Sequence, residues 1–166
     1  MIAPSTEQQD QFKTVLSTAP FGSALASSLR LASIDPPPAS TRNVEGYRVY
    51  FEGTVEEGWT NYLRTLHGAA AAWLVDTWVS SNVSEKPPAR DGFWDGKMLA
   101  GVSLSINMEY LNPAPLGTAL LIKCEVLKCS KAIANIRCEI VDAADGKIYA
   151  AGTHIKMWKD VSRAKL

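Results

Sequence analysis

Five segments of the chain have the apolar and polar spacing or the composition of β-strands. In residues 47–59 and 132–143, apolar side chains alternate with polar ones, so that each segment has one apolar face. These apolar positions are Tyr47, Val49, Phe51 and Val55 in the first segment, and Ala134, Ile136, Cys138 and Ile140 in the second. The other three predicted strands are residues 99–111, 118–130 and 148–159. The sequence ADGK before the last strand is a hairpin signal.

Between the predicted strands at residues 47–59 and 99–111, the segment of residues 61–81 contains a helix that starts at His67-Gly68 and is apolar on nearly all sides. Its polar residues fall within an arc of about 140° when successive residues are turned by about 100°. They are Asp76, Thr77, Ser80 and Ser81. A long antiparallel meander must cover one face, and this helix is the large element available to cover it. We therefore expect an α+β fold in which a long central helix is wrapped by a five-stranded antiparallel sheet.

The N-terminal part of the chain is predicted to be a helical arm. Residues 7–31 have apolar side chains at helical spacing, and Pro20 and Gly22 divide them into two short helices. The sequence DPPPAS, residues 35–40, ends any helix and predicts a stiff linker. The chain is thus divided into an arm with its Pro-rich linker, residues 1–45, and one domain, residues 46–160.

Composition and charge exclude several classes of function. With 17 basic and 17 acidic residues in 166, no net field favours nucleic acid. We find no secretory signal and no apolar run of the roughly 20 residues that span a membrane. Three cysteines without C-x-x-C spacing make a disulfide framework or a metal site improbable. The expected location is intracellular and reducing, in the cytoplasm.

Asp76 is the first candidate for chemistry, because an unpaired carboxylate in an apolar helix costs several kcal/mol. It could be a structural strut bonded to a hydroxyl or a backbone amide, or it could be a reacting group. The helix begins at His67-Gly68, whose free N–H groups suit an anion or an oxyanion. Asp76 lies about 12 Å further along the axis. One carbonyl could reach both groups only if a two-fold partner supplied the acid.

Three segments carry a resemblance to a known family: TNYLRTLHGAAAAWLVD, GVSLSINMEYLNPAPLG and DGKIYAAGTHIKMW. They resemble the hotdog-fold acyl-CoA thioesterases of the PaaI/THEM2-like group, in which an Asn, a His-Gly-Gly and a helical Asp nine residues after the His form the site. The resemblance covers roughly residues 47–158. It implies a hotdog fold, hydrolysis of an acyl thioester, no cofactor other than the coenzyme A of the substrate, and a homodimer or homotetramer.

The resemblance also implies roles for individual residues. Asp76 would be the general base or the nucleophile, and the Gly68 N–H would bind the thioester oxygen. Asn61 would orient the water or the thioester, and Ser103 would stand near Asp76 and help to place the water. His67 would fix the geometry of the helix start. The chain departs from the pattern at Ala69, which replaces the second glycine and narrows the approach to the amide.

Further residues are candidates for binding the substrate. The resemblance points to the hairpin around Ser130 and Lys131, with Lys128 behind them, for the nucleotide, and Thr77 follows Asp76 in the polar stripe. Phe93 and Trp94 are large apolar residues in an otherwise polar loop, residues 83–98. They predict either a wall of the acyl pocket or simple packing at the sheet edge.

Three functions remain open. The first is hydrolysis of an acyl thioester carried by coenzyme A or by an acyl carrier protein. The second is a non-catalytic acyl-binding dimer, for which Ala69 leaves room. The third is a hotdog dehydratase, although the pattern H-F-P-G-x-P-x-x-P-G is absent. A Ser-His-Asp hydrolase is disfavoured because the chain has no G-x-S-x-G sequence.

Overall fold

The computed structural model describes residues 1–18, 21–36, 44–77, 102–130 and 133–157. These residues form one antiparallel sheet of six strands in the order β1-β2-β4-β5-β6-β3. The strands are β1 (Arg30–Ile34), β2 (Tyr47–Thr54), β3 (Val102–Tyr110), β4 (Ala119–Cys129), β5 (Ile133–Asp142) and β6 (Ile148–Met157). The helices are α1 (Thr6–Thr18), α2 (Ser23–Ala26) and α3 (Gly68–Thr77), with a short 3-10 turn at Glu57–Trp59.

The alternating segments bury the predicted faces. In β2 every second side chain from Tyr47 onward is buried, and Ala134, Ile136, Cys138 and Ile140 of β5 are fully buried. The helix α3 packs on β3 and β6 and buries Ala71, Leu74 and Val75 against the sheet. The core therefore lies between the sheet and α3. The first candidate site is formed where the Asp76 side chain of α3 meets β3 and β6.

The predicted strand count is wrong by one, because β1 lies in the segment predicted to be helical. Helices do form at Thr6–Thr18 and Ser23–Ala26, but from Arg30 the chain is a strand that pairs with β2. Its buried residues are Leu31 and Ile34, and a bulge between Leu31 and Ser33 shifts their spacing from two to three. That spacing imitates a helical face, which is why alternation did not reveal the strand.

The predicted break between the two N-terminal helices is correct, and Gly22 explains it. Gly22 has φ 79°, in the left-handed region that favours glycine. A Cβ atom there would lie 2.3 Å from the ring of Trp73 on α3. The chain can turn at this point only because Gly22 has no side chain, and the Gly22 backbone lies against the Trp73 ring.

The N-terminal arm is docked on the sheet. The Gln9 side chain donates to the Leu31 carbonyl at 2.7 Å and accepts from the Leu31 N–H at 3.2 Å. The rings of Phe12 and Phe51 are stacked with centroids 5.3 Å apart. The division of the chain near residue 46 stays a prediction, although β1 joins part of the arm to the sheet.

The central helix begins where the sequence predicts. Residues 61–67 form a turn, and α3 starts at Gly68 with the bond from the Ala71 N–H to the His67 carbonyl, 3.0 Å. The predicted continuation of the helix to Ser81 lies outside the described residues. No helix within the described ranges is long and apolar enough to cross a membrane.

Candidate active site

Asp76 lies near the C-terminal end of the described part of α3, beside side chains from two strands. The Ser103 hydroxyl of β3 donates to Asp76 Oδ1 at 2.9 Å. Two residues of β6 complete the cluster: His154 Nε2 lies 3.5 Å and Lys156 Nζ lies 3.3 Å from the same oxygen. Asp76 Oδ2 accepts no hydrogen bond from a residue that the structure describes. The contacts of the cluster thus converge on one oxygen of the carboxylate, Oδ1.

The register of β3 against β6 assembles this cluster. Ser103 is paired with Lys156, and Ile106 is paired with His154. Gly152, His154 and Lys156 alternate along β6, so all three are on its buried face, toward α3. The strand β3 has a bulge between Ser103 and Ser105. Bulges of this kind redirect a side chain, and here the Ser103 hydroxyl meets Asp76.

His154 is fully buried and links Ser103 to the helix backbone. Its Nε2 lies 3.0 Å from Ser103 Oγ, and its Nδ1 lies 3.4 Å from the Val75 carbonyl. Burial lowers the pKa of His154, and the nearby Lys156 ammonium lowers it further. Since the single Ser103 proton goes to Asp76, we assign the proton of a neutral His154 to Nε2, which donates to Ser103 Oγ. In this tautomer Nδ1 carries no proton, so its 3.4 Å approach to the Val75 carbonyl is a contact and not a hydrogen bond.

Lys156 is the buried charge of the cluster. Its side chain is 3% exposed, whereas that of Asp76 is 43% exposed. The ammonium also donates to the backbone carbonyl of Asp76 at 3.2 Å. Burial lowers the pKa of Lys156, while the Asp76 carboxylate acts in the opposite direction. The acid that the sequence places in an apolar helix is therefore half-exposed, and the cation that faces it is inside.

The start of α3 forms a second group of candidate residues. His67 Nδ1 accepts the Ala69 N–H at 2.9 Å, so His67 caps the helix. The Gly68 N–H makes no hydrogen bond with a residue in the described ranges. The Tyr110 hydroxyl donates to the Gly68 carbonyl at 3.1 Å, and a Cβ at Gly68 would lie 3.3 Å from the Tyr110 ring. The helix start thus offers an unpaired N–H beside an aromatic wall.

Asn61 stands near this helix start but is held by its own loop. Its Nδ2 donates to Thr65 Oγ1 at 3.0 Å, and its Oδ1 accepts the Leu63 N–H at 2.9 Å. Asn61, Gly68 and Tyr110 line one cleft of about 320 Å³. The structure therefore places Asn61 and Gly68 on a common cavity, with the Asn61 amide shaping the turn.

The two groups of residues are separate within one chain. Asp76 follows Gly68 by two helical turns, about 12 Å along the axis, and does not line the cleft of Asn61 and Gly68. A single thioester carbonyl bound by the Gly68 N–H is thus beyond the reach of Asp76 in the same subunit.

The structure describes only some of the other predicted residues. Ala69 is exposed next to the unpaired N–H of Gly68. Ser130 turns its hydroxyl to the Ile133 backbone at 3.1 Å, and Lys128 forms an ion pair with Glu45. The Thr77 side chain, Phe93, Trp94 and Lys131 lie outside the described residues. Their roles stay predictions.

Three residues at the candidate site were missed by sequence reasoning: His154, Lys156 and Tyr110. For Lys156 a signal existed, because it alternates with Gly152 and His154 and so shares their buried face. Tyr110 carried no comparable signal, since its contact with Gly68 depends on where β3 ends. Within the described residues, no group of three or more His, Cys, Asp or Glu side chains could hold a metal ion.

Comparison with known proteins identifies the family. The sequence profile of the thioesterase superfamily matches residues 55–149. Acyl-coenzyme A thioesterase 13 of Homo sapiens is 36% identical over 109 residues, which are 66% of this chain and 71% of that protein. The crystal structure of zebra fish thioesterase superfamily member 2 has a TM-score of 0.69 at 26% identity, covering 91% of this chain and 95% of that one.

The fold has a more distant relative in the E. coli PaaI protein from the phenylacetic acid degradation operon. Its TM-score is 0.65 at 19% identity, covering 93% of this chain and 95% of that one. At this identity the likeness concerns the fold alone. The predicted hotdog fold and family are confirmed: the chain belongs to the thioesterase superfamily.

Proposed function

We propose that the protein hydrolyses acyl-coenzyme A thioesters, with Asp76 as general base and the Gly68 N–H as oxyanion donor. The name of its human relative supports coenzyme A as the carrier. The observation that carries the proposal is the asymmetric environment of Asp76. Oδ1 is held by Ser103 and Lys156, and Oδ2, on a half-exposed side chain, accepts no hydrogen bond from a described residue.

In the proposed reaction, Asp76 Oδ2 takes a proton from a water molecule as the water oxygen attacks the thioester carbon. Negative charge moves to the carbonyl oxygen, where the Gly68 N–H and the positive end of the α3 dipole stabilise it. The C–S bond then breaks, and the proton held by Asp76 neutralises the leaving thiolate. Ser103 keeps the carboxylate oriented through its 2.9 Å bond to Oδ1.

Asn61 is proposed to act at the cleft that it shares with Gly68, either on the thioester or on the water. Because its amide already bonds Thr65 and Leu63, its main effect is to hold the loop that leads into the helix start. We expect a smaller loss from changing Asn61 than from changing Asp76, since Asn61 carries no proton in the reaction.

We propose that a second copy of the chain completes the site. The edge strand β3 exposes apolar side chains, with Val102 60%, Leu104 51% and Tyr110 58% exposed. An unpaired edge with apolar side chains is suited to pairing. A two-fold axis beside β3 would place Asp76 of each subunit near Gly68 of the other, because both residues contact β3 side chains, Ser103 and Tyr110.

The test is thiol release from a panel of acyl-CoA substrates by the wild-type and Asp76→Asn proteins. The isosteric Asn cannot accept the proton, so we expect kcat to fall by about 10² or more. Glu56→Gln, which removes an exposed carboxylate outside the Asp76 cluster, is the control. Near wild-type turnover of Asp76→Asn would refute the base. If all proteins released no thiol but bound the substrates, the protein would be an acyl-binding dimer.

A further inference from the structure

Lys156 places a buried ammonium against Asp76. Both contacts of its ammonium go to Asp76: 3.3 Å to the side-chain oxygen Oδ1 and 3.2 Å to the backbone carbonyl. The side chain is almost completely buried, at 3% exposed. Lysine is among the residues least often buried unless it is paired. Lys156 meets this condition because it is paired with the Asp76 side chain.

We propose that Lys156 is a positioning residue for hydrolysis: its ammonium pairs with the Asp76 carboxylate and turns Oδ1 inward, so that Oδ2 faces the water. This inference rests on the proposed role of Asp76 as the base. Lys156 acts through the carboxylate alone.

The surroundings of Asp76 make Lys156 its main counter-charge. On α3 itself, Asp76 is the only titratable residue among those described. From β3 comes the neutral hydroxyl of Ser103, and from β6 come His154 and Lys156. Burial and the neighbouring ammonium lower the pKa of His154 below its usual 6.5, so His154 is mostly uncharged at neutral pH. Among the described residues, this leaves the Lys156 ammonium as the cation that opposes Asp76.

A purely structural role for Lys156 would need only one of its two contacts with Asp76. To tie α3 to β6, a bond from Lys156 to the Asp76 carbonyl would be sufficient. The additional contact with Oδ1 adds an electrostatic coupling, since an opposite charge within about 4–6 Å favours the ionised acid. The two interpretations differ in one measurable quantity, which is the pH at which the base becomes active.

The first experiment is the pH dependence of kcat/KM for thiol release from one good acyl-CoA substrate. We expect the acidic limb of the profile to move to higher pH by about one unit or more in Lys156→Met. Lys156→Gln should move it likewise, and Lys156→Arg should restore a limb close to wild type. Lys13→Met, an exposed change on α1, is the control. An acidic limb unchanged in both Lys156→Met and Lys156→Gln would overturn the proposal.

The second experiment needs no activity. Thermal unfolding of wild type, Asp76→Asn, Lys156→Met and the double variant forms a double-mutant cycle. We expect Asp76→Asn to lower Tm much more in the wild-type background than in the Lys156→Met background, because only the former leaves a buried cation unpaired. Equal effects in both backgrounds would overturn the pairing.

The two experiments separate this proposal from the proposed function. Normal hydrolysis by the Asp76→Asn protein would show that Asp76 is not the base, whatever the unfolding cycle shows. Loss of hydrolysis in Asp76→Asn, together with an unchanged pH profile in the Lys156 variants, would leave the base in place and reject the role of Lys156.

Discussion

Gly68 is the residue at which backbone and chemistry coincide. It is the first residue of α3, its N–H is unpaired within the described residues, and the Tyr110 ring lies where a side chain would begin. Proline is well tolerated at the first position of a helix because the N–H there has no intrahelical partner. The proposed oxyanion donor can therefore be deleted with the helix left intact.

We expect Gly68→Pro to lower kcat by about 10²–10³, the usual loss when one oxyanion donor is removed. Gly68→Ala is the matched control, because it introduces the same Cβ contact with Tyr110 but keeps the N–H. Steady-state kinetics of both variants, with circular dichroism to check the fold, makes the measurement. If Gly68→Pro and Gly68→Ala have the same kcat, the N–H is not the donor.

His154 should make the folded protein sensitive to acid. Burial holds its pKa below the usual 6.5, so between that value and its folded pKa the unfolded chain binds more protons. Stability is then fully present above about pH 6.5 and is lost as the pH falls toward the folded pKa, at about 1.4 kcal/mol for each unit of lowering.

We expect the Tm of the wild type to drop more between about pH 7.5 and about pH 5.5 than that of His154→Gln. The comparison needs a His67→Gln control, since His67 is exposed at the helix start. Parallel Tm curves for wild type and His154→Gln would show that His154 is not the sensitive group.

The sequence names candidate site residues more readily than it predicts their contacts. Asp76, Ser103 and Gly68 could be named from their order and spacing in a family pattern. The role of Lys156 could not be named from the sequence. It depends on the register that pairs Ser103 with Lys156, and a bulge in β3 sets that register. Register is a property of two strands together, and alternation within one strand gives only the face.

Among the elements, β3 is the edge strand that has only one partner within the described residues. It lies at one edge of the sheet with β6 as its described neighbour, and its apolar side chains are exposed. The opposite edge, β1, is tied to α1 by the Gln9 side chain. The two edges therefore differ in kind, since one is covered within the chain and the other presents apolar surface.

We expect Leu104→Asp to shift the protein toward monomers and to remove most of its activity, with little change in Tm, because this side chain is 51% exposed. Leu127→Asp, at an exposed position on the inner strand β4, is the control. Light scattering after size-exclusion chromatography gives the mass. A dimeric and active Leu104→Asp protein would contradict pairing at β3.

The elements were predicted well where alternation was clean. Strands β2, β4, β5 and β6 follow the predicted segments because each has one buried face. Strand β3 also lies in its predicted segment, although only Ile106 and Met108 of its residues pack partly buried against the core. The exception is β1, where the bulge after Leu31 gives a helical spacing to buried strand residues. Local spacing identifies a strand only as long as its pairing is regular.

At the scale of the whole molecule, one helix carries both halves of the proposed site at opposite ends. Gly68 opens α3 toward the cleft, and Asp76 meets β3 and β6 two turns later. A helix is rigid, so no local movement brings these groups together. The central claim is therefore that each working site takes its acid from one subunit and its N–H from the other.

The most direct test is complementation between two inactive variants, Asp76→Asn and Gly68→Pro. After denaturation and refolding of an equal mixture, about half of the dimers contain one subunit of each kind, and each of these has one intact site of two. We expect the mixture to recover about a quarter of the wild-type specific activity in thiol release from an acyl-CoA. Each variant refolded alone should remain inactive. If the mixture proves to contain mixed dimers and still releases no thiol, Asp76 and Gly68 do not act across the two subunits.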